Sequence, residues 1–493
     1  MKILDLRKNL KRQEFKNSVW NVVDVILLPL LMLIVTPYLI HKLGAAQYGI
    51  WMLVNSIMVS IGIVNFGLGD AAIKFVSKYK ALESNKDIGR IVNAGLLLAL
   101  LLLVVVFFIG ILAAFIIQIA NPFHLQRFFL YIASVSVVLG AVLFGLKQLE
   151  QLALSIFRGF ERYDISSIIS MSSKFLLLVT QVTIVYLGFS IIQIFIGSVI
   201  ITSIAVILEF LFVKFRNKYI SFIPKINKHT LNEIFSFSTW SWIQSILSIL
   251  VSQVDKFVVI TLAGPAFLAY YSLASTIGSQ IHAFFTAAVS WVFPKVSSKT
   301  ERKEDISSLY NKMQFFVIIG GIIVISVLLL FGNILFKSWL GPETYKNSIL
   351  LIRIFLFYIF VNLLSIIPHF TLLGANRIRI YTFFVFISVI FTIGFMVLSY
   401  YLIGVVGLAY GKMFAAVFFI PILLMLVNYL LLERNWLING ILLYMPTFLF
   451  ALALYIMNSF SFLIVFVALA LLFYNYITKI SGRLKPNNSR VVK

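Results

Sequence analysis

A chain of 493 residues that is 61% hydrophobic and only 12% charged carries more apolar residues than a water-soluble domain, which holds about half. Its net charge of +23 would suit nucleic acid, but the basic residues are spread over short loops, a pattern that orients a membrane protein and meets anionic lipid. The absence of cysteine excludes disulfides, zinc thiolates and thiol chemistry.

Along the chain, fourteen apolar stretches each approach or exceed the roughly 20 helical residues that cross a hydrocarbon core. They lie near 18–40, 49–69, 91–119, 128–157, 165–187, 190–213, 235–256, 266–292, 313–336, 347–373, 380–402, 405–431, 440–457 and 459–478. The expected fold is an all-α polytopic membrane protein. With the N-terminus in the cytoplasm, 31 of the 40 Lys and Arg residues fall in cytoplasmic segments. Five fall outside (Lys42, Arg127, Lys256, Lys337, Lys346) and four within spans (Lys147, Lys174, Arg353, Lys412). The reverse orientation breaks the positive-inside rule at nearly every loop. Both termini are therefore expected in the cytoplasm, with the chain in the cell's inner membrane. The first apolar stretch is too long for a signal-peptide core and reads as a retained helix.

These spans divide into a basic N-terminus (1–17), a six-helix bundle (18–213), a basic linker (214–234), a second six-helix bundle (235–431), two further spans (432–478) and a basic tail (479–493). The longest connectors run to about 20 residues, too short for a soluble catalytic domain. No Walker A sequence appears, and the five histidines (41, 124, 229, 282, 369) are scattered. The sequence thus offers no catalytic set, no metal site and no cofactor site. Moving a substrate fits better than transforming one.

A shift of 220 residues sets Trp20 on Trp240, Gly44 and Ala46 on Gly264 and Ala266, and Val76-Ser77 on Val296-Ser297. A shift of 215 sets Gly159 and Arg162 on Gly374 and Arg377. Six spans per repeat make the repeats parallel, with a substrate path expected between them.

KLGAAQYGIW (42–51), FRGFERYD (157–164) and SQVDKFVVITLAGPAFLAYYS (252–272) resemble the polysaccharide and O-antigen lipid flippases of the multidrug/oligosaccharidyl-lipid/polysaccharide exporter superfamily. The resemblance covers essentially the whole chain. It implies two six-helix bundles around a central cavity, alternating access, and an undecaprenyl-diphosphate-linked oligosaccharide as cargo. It further implies membrane lipids, a polysaccharide polymerase and chain-length machinery as partners, with no nucleic acid.

An ionisable group at membrane depth costs about 2.5–3.5 kcal/mol on insertion scales, so each one calls for a reason. Lys174 lies near the middle of its span, on a polar stripe with Ser167, Ser170 and Gln181. It reads either as a cavity cation for a lipid diphosphate or as the counter-ion of Glu150 or Asp24. Lys147 and Glu150, three apart on one helix face, form either a structural pair or part of the site. Arg353 and Lys412 join the candidate cavity cations, with snorkelling toward the outer surface as the plainer reading. Glu209, near Lys214, reads as interfacial, and Asp255, beside Lys256, as local structure.

Ser241, Ser245, Ser248 and Ser252 form one polar stripe, and Ser275, Ser279 and His282 belong to a second. Both would line a wet cavity or let helices pack closely. Asp24 resembles, by location, the first-helix acid of the superfamily's drug antiporters, which implies ion coupling; Glu150 is a second coupling candidate. The rival readings are a cation-coupled multidrug antiporter, favoured by a cavity richer in acids than bases, and a membrane polysaccharide polymerase or acyltransferase. A polymerase would show a large external loop, and an acyltransferase a buried His with an acidic or Asn partner.

Overall fold

A computed structural model of the chain describes residues 31–62, 67–217, 219–224 and 228–431; the side chains of 228–245, 247, 248 and 378 lie outside that description. Asp24 and the two last predicted spans fall outside it as well. Within the described residues every regular element is a helix: α1 (Leu31–Leu43), α2 (Ala45–Ile61), α3 (Leu68–Ala81), α4 (Asn85–Ala120), α5 (Arg127–Gly159), α6 (Tyr163–Tyr186) and α7 (Ile191–Arg216). There follow α8 (Lys228–Val289), α9 (Val292–Glu301), α10 (Ser307–Leu340), α11 (Pro342–Leu363), α12 (Ile366–Gly374), α13 (Ile378–Ile403) and α14 (Gly407–Leu431). Nine of the described helices are long and apolar enough to cross a membrane.

Three details depart from the predicted spans. The span predicted at 235–256 continues to Gly264, whose φ of 77° and ψ of 177° separate it from the span at 266–292, the two being helical arms of α8 that meet at a kink. The apolar run before Gly264 contains no breaker, so the helix continues to the first residue that tolerates this backbone. The stretch at 347–373 is divided in two at Leu364 and Ser365. Pro368 lacks the N–H that would bond to the Leu364 carbonyl, and the Gln314 side chain of α10 donates to that oxygen instead, at 3.0 Å. Finally, the connectors after the second and eighth spans are themselves helical, as α3 and α9. Both are amphipathic, with Lys78 over Phe75 and Tyr79, and Lys295 over Trp291.

Local geometry repeats at the spacings read from the sequence. Left-handed backbone recurs 220 residues apart at Gly44 and Gly264, Glu83 and Lys303, and Asn121 and Gly341, and 215 apart at Glu161 and Asn376. The turns match bond for bond: Arg162 N–H donates to the Phe157 carbonyl at 2.9 Å, and Arg377 N–H to the Leu372 carbonyl at 2.8 Å.

The chain forms two compact units, Met1–Leu273 and Ala274–Lys493. In the first, α5 packs against α2, α3, α4, α6 and α7. Small residues set these approaches: a Cβ on Gly95 would meet Leu152 at 2.9 Å, and one on Gly145 would meet the Leu103 backbone at 2.9 Å. In the second, α13 lies on α14 through Gly407 and Gly411, whose Cα atoms face the backbone of Ser399, Phe395 and Met396. This small-xxx-small spacing lets membrane helices approach closely. A core of Phe285, Val289, Tyr310, Val317, Ile367 and Val427 ties α8, α10, α12 and α14 together.

The outer faces are apolar. Phe108, Leu112, Phe115 and Ile119 on α4, and Phe383, Ile390 and Leu398 on α13, are all more than half exposed. Such continuous apolar faces would aggregate in water and suit a hydrocarbon solvent. The chain is a multi-pass membrane protein.

Candidate functional site

In the first unit the charges gather where α5, α6 and α7 meet. Lys147 and Glu150 stand one helical turn apart on α5, and the Lys147 ammonium donates to a Glu150 carboxylate oxygen at 2.5 Å. Glu150 is only 4% exposed, so this pair is a buried carboxylate neutralised by its own helix. The ion pair on Glu150 is thus with Lys147. Across on α7, Glu209 is equally buried. Its Oε1 accepts a hydrogen bond from Ser173 Oγ of α6 at 3.0 Å, and its Oε2 is buried with no hydrogen-bond partner. The charges of Glu150 and Lys147 both act on Glu209.

Glu209 stands seven residues before the Arg216 end of α7, and its side chain is buried in the protein. The buried face of α7 runs through Ile194, Ser198, Thr202, Val206, Glu209 and Val213, one stripe at spacings of three and four. That periodicity was present in the sequence, and it sets Glu209 among core residues.

Lys174 follows Ser173 on α6 and is half-buried, while Ser167, Ser170 and Gln181 of its stripe are fully buried. Gln181 Nε2 donates to Ser198 Oγ of α7 at 3.3 Å. Gln181 therefore serves the α6–α7 contact. Toward the end of the first unit, Asp255 is buried and accepts a hydrogen bond from Tyr271 Oη at 2.8 Å. Ser252 is exposed and donates to the Ile249 carbonyl at 3.1 Å. The side chains of Ser241, Ser245 and Ser248, its companions in the predicted stripe, lie outside the described residues.

In the second unit Lys412 is 9% exposed. Its ammonium lies 5.1 Å from the Tyr358 ring centroid and 5.6 Å from that of Phe355. The snorkelling reading is corrected: α11 presents two aromatic faces to the cation, and their quadrupoles hold it inside the packing. Arg353 donates to Asn333 Oδ1 of α10 at 3.1 Å, and Tyr345 Oη donates to the same oxygen at 2.9 Å. His282 Nδ1 lies 3.3 Å from Thr286 Oγ1. His369 packs on Tyr381, centroids 4.7 Å apart, and its Nδ1 is buried without a partner. Ser279 is exposed and donates to the Thr276 carbonyl at 2.8 Å; Ser275 is half-buried. Among the described residues no group of three acidic, His or Cys side chains could hold a metal ion.

Comparison with known proteins fits this arrangement. Residues 15–300, more than half the chain, match the family model described as "Polysaccharide biosynthesis protein". A Shigella flexneri protein described as an O-antigen transporter is 22% identical over 365 residues, covering 74% of this chain and 86% of its own. Among solved structures, an inward-facing multidrug resistance MATE transporter of the MOP superfamily superposes with a TM-score of 0.66 at 15% identity, covering 85% of this chain and 96% of its own. The lipid II flippase MurJ, in an inward closed conformation, gives 0.59 at 14% identity, covering 96% and 98%. At such identities these two establish a shared fold. The motif resemblance, the family match and the fold agree: the chain belongs to the polysaccharide biosynthesis protein family, on the all-helical fold of the MOP-superfamily transporters.

Proposed function

We propose that this protein flips an undecaprenyl-diphosphate-linked oligosaccharide, an O-antigen or other surface polysaccharide repeat unit, from the cytoplasmic to the outer leaflet by alternating access. No bond is made or broken. The observation that carries the reading is positive charge kept at span depth: Lys174 eleven residues into α6 and Arg353 eleven into α11, each about 16 Å along its helix, with Lys412 buried in α14. Retaining cations in apolar helices is costly, and a lipid diphosphate gives that cost a use, since opposite charge in a partly dehydrated site attracts more strongly than in water. The family and its O-antigen-transporter relative support a glycan cargo.

Under this reading the protein lies in the inner membrane with both termini cytoplasmic, as the loop charges require. The serine stripes would meet sugar hydroxyls, and the isoprenoid tail would remain in lipid. The test is reconstitution into liposomes with a fluorescent undecaprenyl-diphosphate glycan. Movement of label to the leaflet shielded from a quencher, dependent on the protein and absent for an uncharged undecaprenyl glycan, supports the reading. Equal movement of the uncharged lipid, or transport of cationic drugs instead, overturns it.

A further inference from the structure

Where α8 passes into α9, the second unit presents a face that its core does not use. Phe285, Val289, Val292 and Val296 of these helices belong to the core. Phe284, Ala288, Trp291 and Lys295 are exposed instead, at spacings of four, three and four residues. Trp291, at the join, keeps helical backbone with φ −64° and ψ −13°, so one exposed stripe continues from α8 onto α9. Its character changes along its length. Phe284 and Ala288 are apolar, Trp291 is the side chain type that favours a membrane interface, and Lys295 ends the stripe with a cation. The Lys295 ammonium lies 5.5 Å from the Trp291 ring centroid. Among the described residues no carboxylate pairs with Lys295, whereas Lys299 on the same helix pairs with Glu304 at 3.1 Å. The fold does not demand this arrangement. The shift of 220 residues sets Trp291 on Ala71 and Lys295 on Phe75, and in α3 both of those side chains are buried.

We propose that this stripe is a docking site for an anionic phospholipid of the cytoplasmic leaflet. Lys295 holds the phosphate, Trp291 meets the glycerol region, and an acyl chain lies along Ala288 and Phe284. The order of side chains matches the order of groups in such a lipid. Charge complementarity selects the occupant: one ammonium answers the single negative charge of a phosphodiester, and the cytoplasmic leaflet, where the loop charges set this connector, is the anionic one. A lipid held there braces the inner end of the second unit, because α9 is packed on α12 through Val296 and Gly374. The site goes beyond the flippase reading and stands without it, since no cargo takes part.

The test compares melting of the full chain in phosphatidylcholine vesicles with melting in vesicles that also contain phosphatidylglycerol, both free of glycolipid. Phosphatidylglycerol should raise the melting temperature of the unaltered protein. Lys295→Gln should lose most of that rise while melting as the unaltered protein does in phosphatidylcholine alone, and Trp291→Leu should lose part of it. Lys299→Gln removes the same charge from the same helix and should keep the rise. A full rise in Lys295→Gln overturns the site, and so does an equal loss in Lys299→Gln, which would reduce the effect to diffuse surface charge. Inorganic phosphate added to phosphatidylcholine vesicles should give no rise; an equal rise would make the ligand a free anion and overturn the lipid assignment. A second measurement is the phosphatidylglycerol retained by protein purified in detergent. Lys295→Gln should retain less, and added undecaprenyl-diphosphate glycolipid should not displace what the unaltered protein holds. Displacement would assign the stripe to the cargo and overturn the proposal.

Discussion

Gly374 stands against Val296 as Gly159 stands against Val76. A Cβ added at Gly374 would come within 2.8 Å of the Val296 side chain, and one at Gly159 within 2.7 Å of Val76. Each glycine closes the end of a spanning helix onto a short amphipathic helix, α12 onto α9 and α5 onto α3. The repeat in the sequence is therefore a repeat in packing, since equivalent residues make the same contact in each unit.

Filling either contact should destabilise the protein. Gly159→Leu and Gly374→Leu each overpack a site with no room for a Cβ, at a cost of about 1–3 kcal/mol. Thermal unfolding of the purified protein in detergent measures it, and both variants should melt below the unaltered protein. Unchanged melting in either would mean the short helix is not clamped there.

Lys412 should be needed for transport more than for folding. Truncation to Ala removes a cation–π contact of up to about 2 kcal/mol in a desolvated setting. Lys412→Met keeps the length and apolar stem, so stability should be largely retained while flipping of a diphosphate lipid falls. Parallel melting and flipping assays separate the two effects. Normal flipping by a stable Lys412→Met would remove this residue from the substrate path.

For the pair on α5, Lys147→Ala strands the buried Glu150 carboxylate. Breaking a buried pair costs about 3–5 kcal/mol, less here because Lys147 is 31% exposed. Adding Glu150→Gln should recover much of the loss, because the stranded charge is gone. Membrane abundance and melting temperature of the single and double variants report this. A double variant no better than Lys147→Ala would show the pair to be uncoupled.

Orientation can be read with introduced cysteines, since the chain has none. Ser298→Cys, exposed on α9, should resist an impermeant thiol reagent in intact cells and react after permeabilisation. Lys346→Cys, between the predicted ninth and tenth spans, should react in intact cells. The opposite pattern would invert the proposed topology.

Hydropathy and turn chemistry made most of the helices legible, because both are local. An apolar run long enough for lipid must be helical, and Gly44 and Gly264 announce breaks that their own backbone requires. The Val76/Val296 and Gly159/Gly374 matches likewise stood in the sequence before their contacts were known. The candidate site was legible only in part. Lys147 and Glu150 share a helix, so their spacing showed the pair. Lys412 gave no sign of Phe355 and Tyr358, nor Glu209 of Ser173, because those partners lie on other helices. The sequence by itself determined where the chain becomes helical and which residues carry charge into the spans. Only the tertiary structure decided which of those charges are neutralised and by what, because that depends on which helix faces meet, and helix packing is set by small residues and side-chain shape rather than by hydropathy.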